Sequence, residues 1–331
     1  MRAMRAEGFR GYRDLKVVDI PKPQVSDGRV LVKITAAGVT PLEHTILSGG
    51  YPRAKAPLVL GSEGAGVVED ANGSEFSAGA RVMFTGPYGV SEDGAYSEYL
   101  AVRKENLSLI PESIDDISAA GIPVAYLTAH MALSLAGFQA GKTVLSPAIG
   151  GSVGNAVTQL ARALGARHAI STTTSHAKAE LARTLGFDEV IDLSAGKLGE
   201  GVLHITEGYG SDIVIDAIGG DVLSEALGTL AMGGSLTTLG YSAGRKSTID
   251  VTDLIWKRAS IKSFSLFAQP PEMWRAAWKA ICGCSNLERS NRSWHGRSHL
   301  RMQRKRYDTR SKAGLSGGSY LKYDDNLEEY E

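Results

Sequence analysis

The stretch at residues 142–165, KTVLSPAIGGSVGNAVTQLARALG, constrains this chain more than any other. Thr143, Val144 and Leu145 form a short apolar run suited to a strand covered on both faces. Val153, Ala156, Val157, Leu160, Ala161 and Leu164 then recur at helical spacing. Between them lies a turn of small residues. Gly151 and Gly154, three apart, with Ala148 three residues earlier, let the backbone approach a pyrophosphate, and the helix start adds free N–H groups and a positive dipole end. Ser152 and Val153 complete the turn. Glycines at a strand-to-helix junction are by themselves ordinary turn chemistry. The order strand, turn, helix, with more such units following, is what predicts a dinucleotide site.

From about residue 123 the hydrophobic pattern alternates between strand and helix. Strands are predicted at residues 168–172, 190–192, 213–216, 235–239 and 260–267, and helices at 177–185 and 222–230. That pattern predicts an α/β fold, a doubly wound parallel sheet of Rossmann type, with ligands at the carboxyl ends of its strands. The first 122 residues read differently. Segments at 15–20, 29–35, 64–69, 81–85 and 96–102 are short and β-type, separated by glycine, proline and acidic turns, which predicts a compact, mostly antiparallel β domain. Residues 40–51 are more polar and predict a loop with a short helix.

With 331 residues there is room for both domains, and 43% hydrophobic with 22% charged residues is ordinary globular composition. The formal net charge is +0, which argues against nucleic acid or a membrane surface as the main partner. No apolar run is long enough to span a bilayer and no N-terminal stretch resembles a signal peptide, so a cytoplasmic location is expected. Cys282 and Cys284 are the only cysteines, too few for a disulfide framework or a four-cysteine zinc lobe.

Several motifs carry a more specific likeness: GVTPLEHTILSGGYP at 38–52, LGSEGAGV at 60–67, GAYSEYL at 94–100, GIPVAYLTAHMAL at 121–133 and KSFSLF at 262–267. In these, and in the glycine-rich turn, the chain resembles the medium-chain dehydrogenase/reductase superfamily, most closely its zinc-free quinone oxidoreductase-like branch. The resemblance covers roughly residues 12–281. It implies a GroES-like catalytic domain at 1–122, a Rossmann domain at 123–281, and an active site in the cleft between them. It also implies that Thr40 stands where zinc enzymes place a cysteine and Ser62 where they place a histidine, so no metal is expected. Glu43 and His44 are read as a solvated loop pair rather than as ligands. In the zinc-free branch, side chains on this loop meet the substrate oxygen. Tyr51 matches a tyrosine of that branch, while Thr40 and Thr45 replace an asparagine and a second tyrosine. Tyr51 and Thr40 are therefore the expected catalytic residues.

Cofactor choice is read at the end of the second Rossmann strand. An NAD-binding unit usually places an acid there, about twenty residues past the glycines, to hold the ribose hydroxyls. Residues 170–176 read ISTTTSH, with no carboxylate to repel a 2′-phosphate. Lys178 matches a lysine that binds that phosphate in related quinone reductases, and Thr174 occupies the neighbouring hydroxyl position, so NADPH is the expected cofactor. Gly219, Leu239, Gly240 and Tyr241 end later strands and are expected beside the nicotinamide ribose. By the same likeness, Asp192 and Leu193 stand where relatives often carry a tyrosine.

After about residue 281 the character breaks. Residues 284–312 are polar, arginine-rich and without periodicity, where the family returns to its catalytic domain with strands and a helix. Back-translated and read from each codon's third base, residues 289–321 permit IKPVVARTFPL, AAEAVR and VEGRPFGRVV in order, which resembles the family's ending. A frameshift near codons 280–287 is the hypothesis, and a gene with an unbroken frame that yields this tail in the expressed protein would dispose of it. The expectation is a disordered tail from about residue 284, a poor strand former, with strand edges of the catalytic domain left unpaired.

These readings predict an NADPH-dependent reductase of quinones or α,β-unsaturated carbonyls. Two alternatives stand beside it: an NADPH-binding protein without meaningful turnover, and an RNA-binding role through the basic stretch at 289–310. A homodimer through residues 260–267, at the edge of the Rossmann sheet, is expected by analogy with relatives.

Overall fold

The computed structural model describes residues 1–283 and 319–322. The chain divides into two compact units after Val124, against an expected boundary after residue 122.

In the first unit the chain runs through β1 (Arg2–Ala6), β2 (Leu15–Asp19), β3 (Arg29–Val39), α1 (Pro41–Leu47), β4 (Leu58–Val59) and β5 (Glu63–Asp70). It continues through β6 (Arg81–Thr85), β7 (Tyr99–Arg103), β8 (Leu107–Leu109) and α2 (Asp116–Ala120). β2, β1 and β4 form a small sheet, and β3, β5, β6 and β8 lie side by side in a larger one, with β7 also on β3. All these pairings are antiparallel. β3 is the axis of the larger sheet, with Val30, Val32, Ile34, Ala36 and Ala37 buried. The predicted short helix in residues 40–51 is α1. β1 has no counterpart among the predicted strands, because its buried residues, Ala3 and Ala6, are small and two of its five residues are arginines.

The second unit holds α3 (Pro123–Leu135), which starts at the boundary, then β9 (Thr143–Ser146), α4 (Ser152–Ala163), β10 (His168–Thr173) and α5 (His176–Thr184). There follow β11 (Val190–Asp192), α6 (Leu198–Ile205), β12 (Ser211–Asp216), α7 (Gly220–Gly228), β13 (Leu230–Thr238), α8 (Val251–Lys257), β14 (Ser260–Ser263) and α9 (Pro271–Gly283). Strand order is β11-β10-β9-β12-β13-β14, every pairing parallel. The order reverses between β9 and β12, the switch point at which such sheets bind ligands. Leu145, Ile170, Ile191, Val214 and Leu236, one from each of five strands, pack with Leu198 and Val202 of α6 and Ala226 and Leu227 of α7. Each leucine, isoleucine or valine among them is worth about 1.5 to 3 kcal/mol relative to exposure. β14 ends at Ser263, short of the predicted 267, and a 3-10 turn follows at Leu266–Ala268. All four residues of this edge strand are exposed, so no apolar face prolongs it.

Residues 319–322 form β15 (Ser319–Lys322), antiparallel to β3 with Tyr320 opposite Gly38 and Leu321 opposite Ala37. This corrects the expectation of a tail without strands, and the β3 edge from Ala36 to Val39 is paired. A strand needs only a free backbone edge to dock on, which a search for side-chain periodicity does not register. The rest of the tail, with its expected disorder and its basic stretch, lies outside the described residues.

Candidate functional site

The turn after β9 is fastened to the next strand. The Ile149 amide donates to the Thr172 carbonyl at 2.8 Å and the Ala148 amide to Thr172 Oγ1 at 3.1 Å. Ala148 adopts a positive φ of 68°. Gly154 has no space for a side chain, since a Cβ there would lie 2.4 Å from the Ala148 carbonyl oxygen and 2.5 Å from that of Pro147. α4 is thereby seated against the turn, with Gly151 as its N-cap and no side chain covering its first N–H groups. Ser152 is exposed and Val153 half-buried at that helix start.

The loops after β12 and β13 interlock through Asp216. Its carboxylate is fully buried and accepts from the Ile218 amide at 2.9 Å, the Gly219 amide at 3.0 Å and Thr238 Oγ1 at 3.2 Å. Its carbonyl accepts from the Leu239 amide at 2.9 Å. Gly219 has φ 69°, and a Cβ on it would stand 2.5 Å from the Gly244 carbonyl oxygen. Gly240 is half-buried in the second loop and Tyr241 exposed, with the Arg245 guanidinium 5.3 Å over its ring. The sequence offers only turn chemistry for Asp216, and the one signal of its role is an acid at the end of a strand shortly before Gly-Gly.

At the end of β10, Thr174 is exposed and Lys178 half-buried, without an ion-pair partner among the described residues. His176 Nδ1 lies 2.8 Å from Asp192 Oδ2. The fold thus brings Ala148, the 151–154 turn, Thr174, Lys178, Gly219 and Leu239–Tyr241 to the carboxyl ends of four neighbouring strands. A turn closed to a Cβ at Gly154, and a lysine without an ion-pair partner among the described residues, fit a dinucleotide with an additional phosphate.

Thr40 and Tyr51 belong to the first unit. Thr40 caps α1 in a reciprocal capping box with Glu43. Its amide donates to Glu43 Oε2 at 2.7 Å, its hydroxyl to the same oxygen at 2.6 Å, and its Oγ1 accepts from the Leu42 amide at 3.2 Å. The other carboxylate oxygen of Glu43 accepts from the Ser62 amide at 3.0 Å and the Ser62 hydroxyl at 2.9 Å. Glu43 is buried, which corrects its reading as half of a solvated pair. His44 is the exposed member, with Nδ1 2.9 Å from the Tyr12 hydroxyl. The two positions matched to zinc ligands are therefore bridged by one carboxylate, and the single proton of the Thr40 hydroxyl is committed to it. The Tyr51 hydroxyl has no hydrogen-bond partner among the described residues, and the side chain is half-buried.

Next to Ser62, Glu63 is buried and accepts from the Val124 amide at 2.7 Å. Burial, with a smaller contribution from the Glu43 charge, pushes its carboxyl up to about 8. The folded state therefore binds a proton that the unfolded chain releases above about 4.5. The stabilisation is complete below that value and is lost as pH rises through about 8. Urea unfolding from acid to alkaline pH is expected to show stability falling across this window, and Glu63→Gln to flatten the fall. An identical slope in the variant would refute the assignment.

Among the described residues, no group of three or more His, Cys, Asp and Glu side chains is placed to hold a metal ion, and no helix is long and apolar enough to cross a membrane.

A parallel sheet of this strand order with a glycine-rich turn at the switch point, in one chain with a mostly antiparallel β unit, is the GroES-like and Rossmann architecture of the dehydrogenases. Residues 26–112 match the alcohol dehydrogenase GroES-like domain and residues 152–282 the zinc-binding dehydrogenase family. The quinone oxidoreductase of Homo sapiens is 32% identical over 279 residues, 82% of each chain. The chloroplastic NADPH-dependent alkenal/one oxidoreductase of Arabidopsis thaliana is 33% identical over 222 residues, 62% of this chain and 56% of that one. The solved quinone oxidoreductase from Thermus thermophilus, described also in complex with NADPH, superposes with a TM-score of 0.74 at 29% identity, over 88% of this chain and 89% of that one. The chain belongs to the medium-chain dehydrogenase/reductase superfamily, as a quinone oxidoreductase-like oxidoreductase.

Proposed function

We propose that the chain is an NADPH-dependent reductase of quinones or α,β-unsaturated carbonyls that works without zinc. The observation that carries the zinc-free part is the Glu43 network, in which Thr40 and Ser62 bind a carboxylate where a metal enzyme presents ligands. NADPH and these substrate classes are supported by the Thermus complex and by the names of the human and Arabidopsis relatives.

Bound NADPH supplies a hydride, to the quinone or to the β-carbon of an enone. The protein's part is binding, orientation and charge stabilisation. Free N–H groups at the start of α4 hold the pyrophosphate, and Lys178 holds the 2′-phosphate. The Tyr51 hydroxyl donates a hydrogen bond to the oxygen on which negative charge develops. Thr40, its proton held by Glu43, fixes the loop that leads to Tyr51.

The test is NADPH consumption with phenanthrenequinone and with an aliphatic enone, before and after exhaustive chelation. Turnover that survives chelation supports the reading, and NADPH binding without oxidation would replace it with the non-catalytic alternative. Tyr51→Phe is expected to lower kcat about ten- to a hundredfold while the Kd for NADPH stays unchanged. Unchanged turnover across the active pH range would remove Tyr51 from the mechanism.

A further inference from the structure

Residues 170–176 contain no acid, yet the fold delivers one to the same place. The parallel register sets Asp192, the last residue of β11, beside Thr173, the last of β10. There a dinucleotide-binding sheet uses a carboxylate to accept from ribose hydroxyls, and a bare one would favour NADH and repel a 2′-phosphate. Asp192 is not bare. Its Oδ1 accepts from the Ser194 amide at 2.9 Å and the Ser194 hydroxyl at 2.5 Å, and its Oδ2 from His176 Nδ1 at 2.8 Å. The acid is covered, with 9% of its side chain exposed, whereas 72% of the His176 side chain is open.

We propose that His176, held by Asp192, sets cofactor specificity: its ring masks the Asp192 carboxylate and offers its second nitrogen to the 2′-phosphate of NADPH. This rests on the NADPH reading above. The Ser194 hydroxyl and His176 together hold the Asp192 carboxyl below the usual carboxylate range, so it stays an acceptor. The ring's Nδ1 proton is thereby committed to it, and the Nε2 edge, without a partner among the described residues, is left for the ligand. The other charged side chain on this helix turn is Lys178. In this arrangement the ring donates from both nitrogens, Nδ1 to the carboxylate and Nε2 to the phosphate. His176 and Lys178 then share the phosphate, and no free acid opposes it.

The experiment is fluorescence titration of NADPH and of NADH into the full chain, into H176A and H176R, and into the double variant H176A/D192N. Wild type is expected to prefer NADPH, and H176A to lose about tenfold of that preference, weakening NADPH while leaving NADH equal or tighter. H176R, which puts a guanidinium over the acid, restores the preference, and removing the acid in H176A/D192N recovers part of it. If H176A keeps the wild-type ratio within about twofold, or weakens both cofactors alike, the specificity role falls and the NADPH reading stands. If wild type itself binds the two equally, the NADPH reading fails and this proposal with it.

Discussion

Replacing Gly154 with valine is expected to raise the Kd for NADPH more than about a hundredfold, the cost of forcing about 3 kcal/mol or more of overpacking into the cradle. A Cβ at this position falls 2.4 Å from one backbone carbonyl oxygen and 2.5 Å from another, and neither can yield as a flexible side chain would. α4 must then lift from the Pro147–Ala148 backbone, and its first N–H groups lose their aim. Ala163→Ser, at an exposed position at the far end of the same helix, is the control and should bind like wild type. Calorimetry on both variants, with circular dichroism to show that the sheet persists, reads the effect. A G154V protein that binds NADPH normally would show that the turn is not the cradle.

The second large effect is expected at Glu43. Its carboxylate receives four hydrogen bonds, two from Thr40 and two from Ser62, in a buried position. Glu43→Ala leaves two amides and two hydroxyls without acceptors, each costing about 1 to 3 kcal/mol if it stays dry, and partial collapse of the site limits the sum. Urea unfolding is expected to show a loss of about 3 to 5 kcal/mol, in the range for breaking a buried charged network. Glu43→Gln keeps one carbonyl oxygen and should lose less. A change below about 1 kcal/mol in the alanine variant would mean that the network does not hold the loop. Because Tyr51 follows α1 closely in sequence, the same variant is expected to lower kcat as well.

These two sites differ in how far they could be foreseen. Gly154 stood in plain view, since a strand, a glycine-rich turn and a helix lie within 24 consecutive residues and each announces itself by a local pattern. The strands Arg81–Thr85 and Val190–Asp192 were legible to the residue for the same reason. Glu43 looks solvated in the sequence because its partner Ser62 is 19 residues away, and nothing in GVTPLEHT says that the chain will return beside it ahead of β5. Asp192 stands out in the sequence only as a departure from the family's tyrosine, though it meets His176 from a neighbouring strand, 16 residues on. β15 escapes a search for periodicity because its flanking sequence has none, while its place on β3 depends on a free backbone edge.

The sequence by itself determined the class of fold and the strand, glycine-rich turn and helix at its switch point, because periodicity, turn chemistry and motif order are properties of contiguous residues. Tertiary structure decided what the acids do: Glu43 ties Thr40 to Ser62, Asp216 locks two strand-end loops together, and Asp192 holds His176. Each of those roles follows from the register of strands and the loops they carry, and register is fixed by the packing of the whole sheet rather than by any one segment.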